Sequence, residues 1–422
     1  MLADPSPKEW RRSLPVLVTD AHTMGALAVI RSLGRAGYPV HACSPRPDAL
    51  GLGSAYAQAR VVCPANDAQL LSWVRDYVAG NHIRAIIPSE HVLTVLRPVY
   101  EEFAHLFPFS RSAATLYAGL SKFDLFQRLQ SEPQLSVHLP PTLLIADTAV
   151  LPSLEELKEL GMPVFIKSDT GYACSAAGAA TYKASSPEEA LRLLRELRPQ
   201  FKRLVVQGYV PGSGVGAFFL LWNGAVRAEF MHRRLHEVPH TGGTSSLRES
   251  WWHNEIRQDA LKKLSAMQWQ GVAMVEYRWH EPSGQFYLME MNGRFWGSLH
   301  LALYAGVDFP RLLLDSFHGH APDAIPEFPR GLRCRHTFPM EVHYVWSRLS
   351  DRGLPFFRRI APMGEFLALS LDPRIYSDLF FPGDRRLYFS NLKKFLATFW
   401  RRNPRPEAGW ESVSTPKIGE AR

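Results

Sequence analysis

From Pro15 onward the apolar positions fall into a repeating order of short run, turn, helix and short run. Val16 to Asp20 (VLVTD) is a compact apolar run. Met24 to Arg35 then carries apolar side chains at helical spacing, Gly37 closes that helix, and Pro39 to Cys43 returns as a strand. A second round has Ala59 to Cys63, a helix near Ala68 to Val78, and Ala85 to Pro88. Strands alternating with helices predict a parallel sheet covered on both faces. A helical linker follows from Ser112 to Leu129, and a Pro-rich exit at Leu139 to Thr142 leads into an α+β unit starting near Leu143. Its predicted strands are Pro163 to Lys167, Leu204 to Val206, Ala217 to Trp222, Ala273 to Arg278 and Phe286 to Glu290, with helices over Pro187 to Leu197 and Asn254 to Met267. After about His320 the pattern becomes irregular and Pro-rich, and the polar end from Asn403 to Arg422 reads as disordered.

Composition narrows the class of protein without choosing a function. With 422 residues, two or three packed units are expected, and 46% hydrophobic with 21% charged residues is ordinary for a globular chain. No apolar run reaches the roughly 18 residues of a spanning helix, and the N-terminal MLADPSPKEWRRSLP lacks the apolar core of a signal peptide. A cytoplasmic protein is the expectation. Cys43, Cys63, Cys174 and Cys334 form no CxxC pair, so buried free thiols are expected rather than disulfides or a thiolate metal site. The net charge of +8 suits anionic substrates such as nucleotides and carboxylates, and no nucleic-acid-binding module accompanies it. Much of the excess is local: Arg385 to Arg405 holds seven basic residues and no acid, interleaved with aromatics. Interfacial membrane segments share that composition, although a basic helix packed on the protein body is the stronger expectation.

The candidate chemistry lies further along. The turn Asp20-Ala-His-Thr-Met-Gly25 is not GxGxxG, and no GxxxxGK[ST] occurs, so neither a dinucleotide fingerprint nor a P-loop is present. In Gly271 to Pro310, two strands flank a turn at Glu281 to Gln285 punctuated by Pro282 and Gly284. Glu276 lies on the first strand and Glu290 ends the second, so a hairpin can set the two carboxylates side by side. Asn292 follows at i+2 on the same face, and Arg294 two further on. Two carboxylates and an amide oxygen form a hard-oxygen site suited to Mg²⁺ with phosphates as further ligands. Arg294 beside them could neutralise an oxyanion. Lys167 ends the apolar strand from Pro163, a costly place for an ammonium unless it meets an anion. The small residues after it (Gly171, Ala173, Ser175, Ala176, Ala177, Gly178) would let backbone N–H groups close over phosphates.

These pieces, in this order, resemble the ATP-grasp superfamily, whose metal signature runs Glu or Gln on one strand and Glu-x-Asn-x-Arg after the next. The similarity extends through WGSLHLALYAGVDFP and covers about Pro15 to His320. Within the superfamily the chain most resembles the carbamoyl-phosphate-synthase-like and carboxylate–amine ligase branch. The resemblance implies a Rossmann-like pre-ATP-grasp domain over 15–111 and a two-lobed ATP-grasp domain over 112–320 with lobes meeting near 207–212. Residues 1–14 and 403–422 are expected to be disordered and 321–402 carry no assigned role. It further implies that Glu276, Glu290 and Asn292 hold Mg²⁺ (or Mn²⁺), that Lys122 and Lys167 meet ATP phosphates, and that Gly171 begins the glycine-rich loop. The hinge Gln207, Gly208, Tyr209 and Val210 would read adenine, and His240 of the HTGG turn would lie near the nucleotide, with Arg233, Arg248 and Glu249 as further contacts. Gly208 stands where the family often has Glu, Val215 lies near its ribose acid, and Asp169 replaces a common Pro. Arg294 and Lys167 would act catalytically in forming an acyl phosphate from a carboxylate, for attack by an amine or other nucleophile. Small-molecule substrates and a homodimer are the expected partners. Bicarbonate activation, kinase-type transfer and a non-catalytic ATP sensor are the alternatives.

Overall fold

The computed structural model describes residues 9–109, 112–147, 150–169, 181–240, 242–322 and 325–400. Gly171 with the small residues after it, Cys174, and the tail expected to be disordered lie outside these.

The first strands are β1 (Val16–Val18), β2 (Val40–Ser44), β3 (Ala59–Val62) and β4 (Ala85–Ile87), a parallel sheet in the order β3-β2-β1-β4. β1 is buried at all three positions, as an apolar run between helical layers should be. Helix Met24–Arg35 starts where the Thr23 side chain accepts the Ala26 N–H, and the chain leaves it through Gly37 at φ +92°. Residues 9–13, expected to belong to a disordered end, instead form a 3-10 helix. Arg11 is buried there with Nε 3.0 Å from Asp315 Oδ1 and Nη2 2.6 Å from Oδ2, so a charge pair fixes the segment.

A linker of two helices, Ala113–Leu120 and Lys122–Gln130, breaks at Ser121, whose hydroxyl caps the second by accepting the Asp124 N–H. Next comes an antiparallel sheet of β5 (Thr142–Ala146), β6 (Val164–Ser168), β7 (Thr181–Ala184) and β8 (Arg203–Gly208) in the order β5-β8-β6-β7. It has its own core around Ile145, Leu157, Ile166, Leu194, Phe201 and Val206. The largest sheet combines β9 (Ser213–Trp222), β10 (Ala225–Val238), β11 (Thr244–Ser250), β12 (Gly271–His280), β13 (Gln285–Asn292), β14 (Arg333–Arg335) and β15 (Ile375–Ser377), in the order β13-β12-β9-β10-β11-β14-β15. It shares one continuous core with the first sheet.

Two regions differ from the sequence expectation. β10 and β11 are absent from the strands expected above: charged residues interrupt the apolar pattern in HRRLHEV, yet these are long strands of the large sheet whose charges pair across it. The segment after His320 is not irregular: β14 and β15 extend the large sheet, and helices Val342–Ser350, Phe356–Leu371 and Arg386–Trp400 follow. Their apolar residues are divided between core-facing and outward faces, which blurs the usual amphipathic signal. Cys43, Cys63 and Cys334 are free and buried.

Candidate active site

Strand register brings the two predicted carboxylates together. On β12 and β13, Glu276 lies directly opposite Glu290, and the register then shifts so that Tyr277 faces Leu288, which leaves Met289 as a bulge. The Asn292 side chain joins them, its Nδ2 donating to Glu290 Oε1 at 3.0 Å.

The neighbouring strand contributes empty space. Glu276 pairs with Gly216 on β9, and Gly216 with His232 on β10. Two residues earlier, on the same face of β9, a Cβ at Gly214 would come within 2.8 Å of Arg234 Cδ and 2.6 Å of Glu237 Oε1. The bare glycine face lets the Arg234 side chain cross β9 and donate to Glu276 Oε2, while its Nη1 donates to the Gly243 carbonyl at 2.9 Å. Arg278 stands beside this pair, with Nη1 donating to the Gly212 carbonyl at 2.8 Å and lying 3.7 Å from Glu237.

Two lysines approach from other elements. Lys122 Nζ is 3.0 Å from Glu290 Oε2. Lys167, near the end of β6, donates to Gln207 Oε1 at 2.7 Å, and Gln207 is fixed in turn by Nε2 to Thr142 Oγ1 at 3.3 Å. The cap hydroxyl of Ser121 donates to buried Asp169 at 2.5 Å, tying the start of the Lys122 helix to the end of β6, and Arg203 of β8 reaches Asp124 of the same helix at 2.5 Å. Asp169 therefore has a structural task. Arg294 leaves the strand direction and donates through Nε to Glu90 Oε2 at 3.1 Å, joining the site to the segment after β4.

Charge is concentrated here in both signs: Lys122, Lys167, Arg234, Arg278 and Arg294 surround Glu90, Glu237, Glu276 and Glu290. Burial alone would raise the Glu290 carboxyl, but Lys122, the Asn292 bond and Lys167 hold it well below the usual range. Glu276 goes the other way: burial raises it, Glu290 adds to the rise, and Arg234 only partly opposes it. Glu290 and a second acid, Glu90, raise Lys122 against the effect of burial. Lys167 is lowered to about 8 by burial and by neighbouring Lys122 and Arg278, despite Glu290 and Glu276. An anion arriving beside it would reverse that shift.

The remaining predicted residues are placed differently. His240 turns to the C-terminal helices, with Nδ1 2.6 Å from Ser347 Oγ and Nε2 2.9 Å from Asp351 Oδ2, and is not brought to the carboxylate pair. Arg233 pairs with Glu249 at 2.8 Å, and Arg248 is fully buried on Asp378. In the hinge, the N–H groups of Gly208 and Tyr209 serve the carbonyls of Pro141 and Pro163 at 2.9 and 3.0 Å, while buried Val210, followed by Pro211, keeps the next N–H. A Cβ at Gly208 would lie 2.0 Å from the Leu160 carbonyl oxygen, which explains why a Glu cannot stand there. Arg234, Arg278 and Glu237 were missed from sequence. Period-two alternation along β10 above the Gly214–Gly216 face is the signal that would have found Arg234.

Among the described residues, no three His, Cys, Asp or Glu side chains gather as a metal site. The oxygen donors are two carboxylates and one amide, and their hard character fits Mg²⁺ or Mn²⁺.

Structural comparison separates fold from activity. An L-amino acid ligase from Bacillus licheniformis is similar over 72% of this chain and 74% of its own, with a TM-score of 0.55 at 15% identity. A biotin carboxylase from Campylobacter jejuni matches over 75% and 74%, with a TM-score of 0.58 at 16% identity. An N5-carboxyaminoimidazole synthetase from Staphylococcus aureus matches over 75% and 80%, with a TM-score of 0.57 at 14% identity. Residues 200–338 match the family described as ATP-grasp in the biosynthetic pathway with Ter operon.

The fold is ATP-grasp. The α/β first sheet is its Rossmann-like N-terminal part, and the two later sheets are its lobes. Within the family match fall Arg234, Glu276, Glu290, Asn292 and Arg294, whereas the lysines precede it. No curated protein matches the sequence.

Proposed function

We propose that this ATP-grasp protein activates a substrate carboxylate as an acyl phosphate and transfers the acyl group to an amine or another nucleophile, releasing ADP and phosphate. The observation that carries the reading is the oxygen set Glu276, Glu290 and Asn292 facing the ammonium groups of Lys122 and Lys167. The shared fold supports it: the Campylobacter jejuni biotin carboxylase was solved as a beta-gamma-ATP complex and the Staphylococcus aureus synthetase with ADP.

In this reading Glu276, Glu290 and Asn292 hold Mg²⁺, which when bound neutralises phosphate charge as a Lewis acid. Lys122 and Lys167 align the phosphate oxygens, and positioning plus charge neutralisation supply most of the catalysis in phosphoryl transfer. Gln207 keeps Lys167 extended, so its ammonium needs no reorganisation when phosphate arrives. Val210 packs on the base and its backbone offers the adenine edge. Arg294, restrained by Glu90, meets the oxyanion that forms when the nucleophile adds to the acyl carbon.

A second reading, an ATP-binding sensor without turnover, has one observation in its favour: Arg234 already engages Glu276, where it competes with a divalent cation. ADP release measured with pooled carboxylates and amines separates the two. Substrate-dependent release selects the ligase, and uptake of Mg·ATP without turnover selects the sensor. Calorimetry detecting no Mg·ATP uptake would sink both.

A further inference from the structure

The C-terminal helices present an apolar surface that the ATP site does not use. On helix Phe356–Leu371 the exposed side chains Phe356, Ile360, Met363, Leu367 and Leu371 recur at intervals of three or four residues, and Phe357 falls beside them. At about 100° per residue these positions, with Gly364, fill an arc of about 120° without a polar side chain. Phe357 is 79% exposed and Leu371 84%. The opposite side of the helix faces the protein: Pro362 is buried, the Phe366 ring lies 6.3 Å from that of Phe338, and Glu365 reaches His236 at 3.1 Å. Trp346, 68% exposed, extends the patch onto the adjoining helix Val342–Ser350. Phe389 and Leu396 are exposed on helix Arg386–Trp400, which packs on the same Phe338 through Phe395 at 5.4 Å. So much apolar surface in water leaves hydrophobic free energy that a cover would recover.

Charge identifies the cover. Arg352, Arg385, Arg386 and Lys393 are exposed around these helices, while Lys394 pairs with Asp48 at 3.3 Å. The acids of the region are already engaged: Asp351 with His240 at 2.9 Å, Glu365 with His236, and Asp372 with Arg374 at 2.8 Å. Asp378 and Asp384 are buried under arginines. The outward field is therefore positive. A second copy of this chain would bring a surface of the same sign, whereas anionic headgroups bring the opposite one. Among the described residues no helix is long and apolar enough to cross a membrane, so contact would be peripheral.

We infer that the face formed by Phe356, Phe357, Ile360, Met363, Leu367 and Leu371, together with exposed basic side chains on the preceding loop and the neighbouring C-terminal helix, docks on an anionic lipid surface. The apolar arc enters the headgroup boundary while arginine and lysine stay at the phosphates. This inference is independent of the reaction proposed above.

Co-sedimentation of the full chain with vesicles of phosphatidylcholine plus phosphatidylglycerol, against phosphatidylcholine alone, tests it. The chain should pellet with the anionic vesicles, less with the neutral ones, and less as salt rises. Ile360→Ser with Leu367→Ser should lower partitioning about tenfold or more, and Arg352→Gln with Lys393→Gln several-fold. Circular dichroism of each variant checks that these exposed substitutions leave the fold intact. The inference is overturned if the native chain ignores both vesicles, or if the double serine variant binds as well as the native chain. A dimer split by the serine variant, with no vesicle binding, would equally overturn it and assign the face to a second copy.

Discussion

The molecule contains two dense gatherings of arginine, acid and histidine or lysine, and they differ in solvent rather than in composition. In the first, Glu276 and Glu290 share Arg234, Lys122 and Lys167 at a partly exposed cleft. In the second, Arg31, Arg248, Asp378, Asp384, His300 and His336 are almost wholly buried where helix Met24–Arg35, β11 and the chain around β15 meet. Arg31 donates to Asp384 at 2.9 Å and to the Asp378 carbonyl at 2.5 Å, and Ser54 Oγ and the Ala55 N–H complete Asp384 at 2.8 and 3.0 Å. The buried set has its acids saturated by partners from distant parts of the chain, so it welds the C-terminal region to the first domain. The cleft set has cations in excess and oxygens that can change partner. A charge cluster reads as a site when it can exchange partners, and as a fastening when it cannot.

The fastening should give the largest effect. Burial alone would raise the Asp378 carboxyl, but Arg248, His300 and His336 hold it below the ordinary range. Its contribution is thus present above the unfolded-state value near 4 and is lost only as pH falls through the lower folded value. Asp378→Ala leaves Arg248 charged and buried without its partner, and should cost roughly 3–5 kcal/mol in denaturant unfolding at neutral pH. A loss below about 1 kcal/mol would mean that the cluster does not fasten anything.

Glu290→Gln makes the opposite case. The carboxylate is partly exposed and stands among more cations than it needs, so stability should change by no more than about 1 kcal/mol. If Glu290 holds the metal, nucleotide-dependent ADP release should fall about 100- to 1000-fold. Equal activity in this variant would remove the carboxylate pair from the chemistry. Lys167→Met should weaken ATP about 10- to 100-fold through KM with a smaller change in turnover, as loss of a charged hydrogen bond does. Because Lys167 sits near 8 before nucleotide binds, its charge disappears as pH rises through that value, and KM for ATP in the native protein should climb above it. A KM flat to pH 10 would place the phosphates elsewhere.

These two clusters were unequally legible. The cleft was readable because hairpin geometry is local: fourteen residues and one turn bring Glu276 opposite Glu290, and i+2 spacing adds Asn292. The alternating strands and helices of residues 15–111 were readable for the same reason, since each element announces its own period. Arg234 was hidden because it reaches its partner across a third strand, and only the missing side chain of Gly214 reveals the route. His240 is the converse case: an HTGG turn suggested a nucleotide contact, and the structure gives both ring nitrogens partners on a region whose helices the sequence pattern did not disclose. The fastening was invisible, since Arg31 and Asp384 meet across 353 residues and carry no motif.

Arg234 sharpens the comparison because it belongs to the cleft and yet behaves like a fastening. Glu237 and the Gly243 carbonyl hold its guanidinium in place independently of Glu276, and Glu276, Glu237 and Glu290 raise it despite burial. If it serves only to fix the sheet, Arg234→Ala should lower stability and leave the pH profile of ADP release where it was. If it keeps Glu276 ionised for the metal, its removal lets burial and Glu290 raise that carboxyl further, so the acid limb of the profile must move to higher pH. The expected result is the shift, with activity on the alkaline side within about tenfold of native. An unmoved acid limb with unaltered Mg²⁺ dependence would return Arg234 to the structural class and leave Glu276 charged by other means.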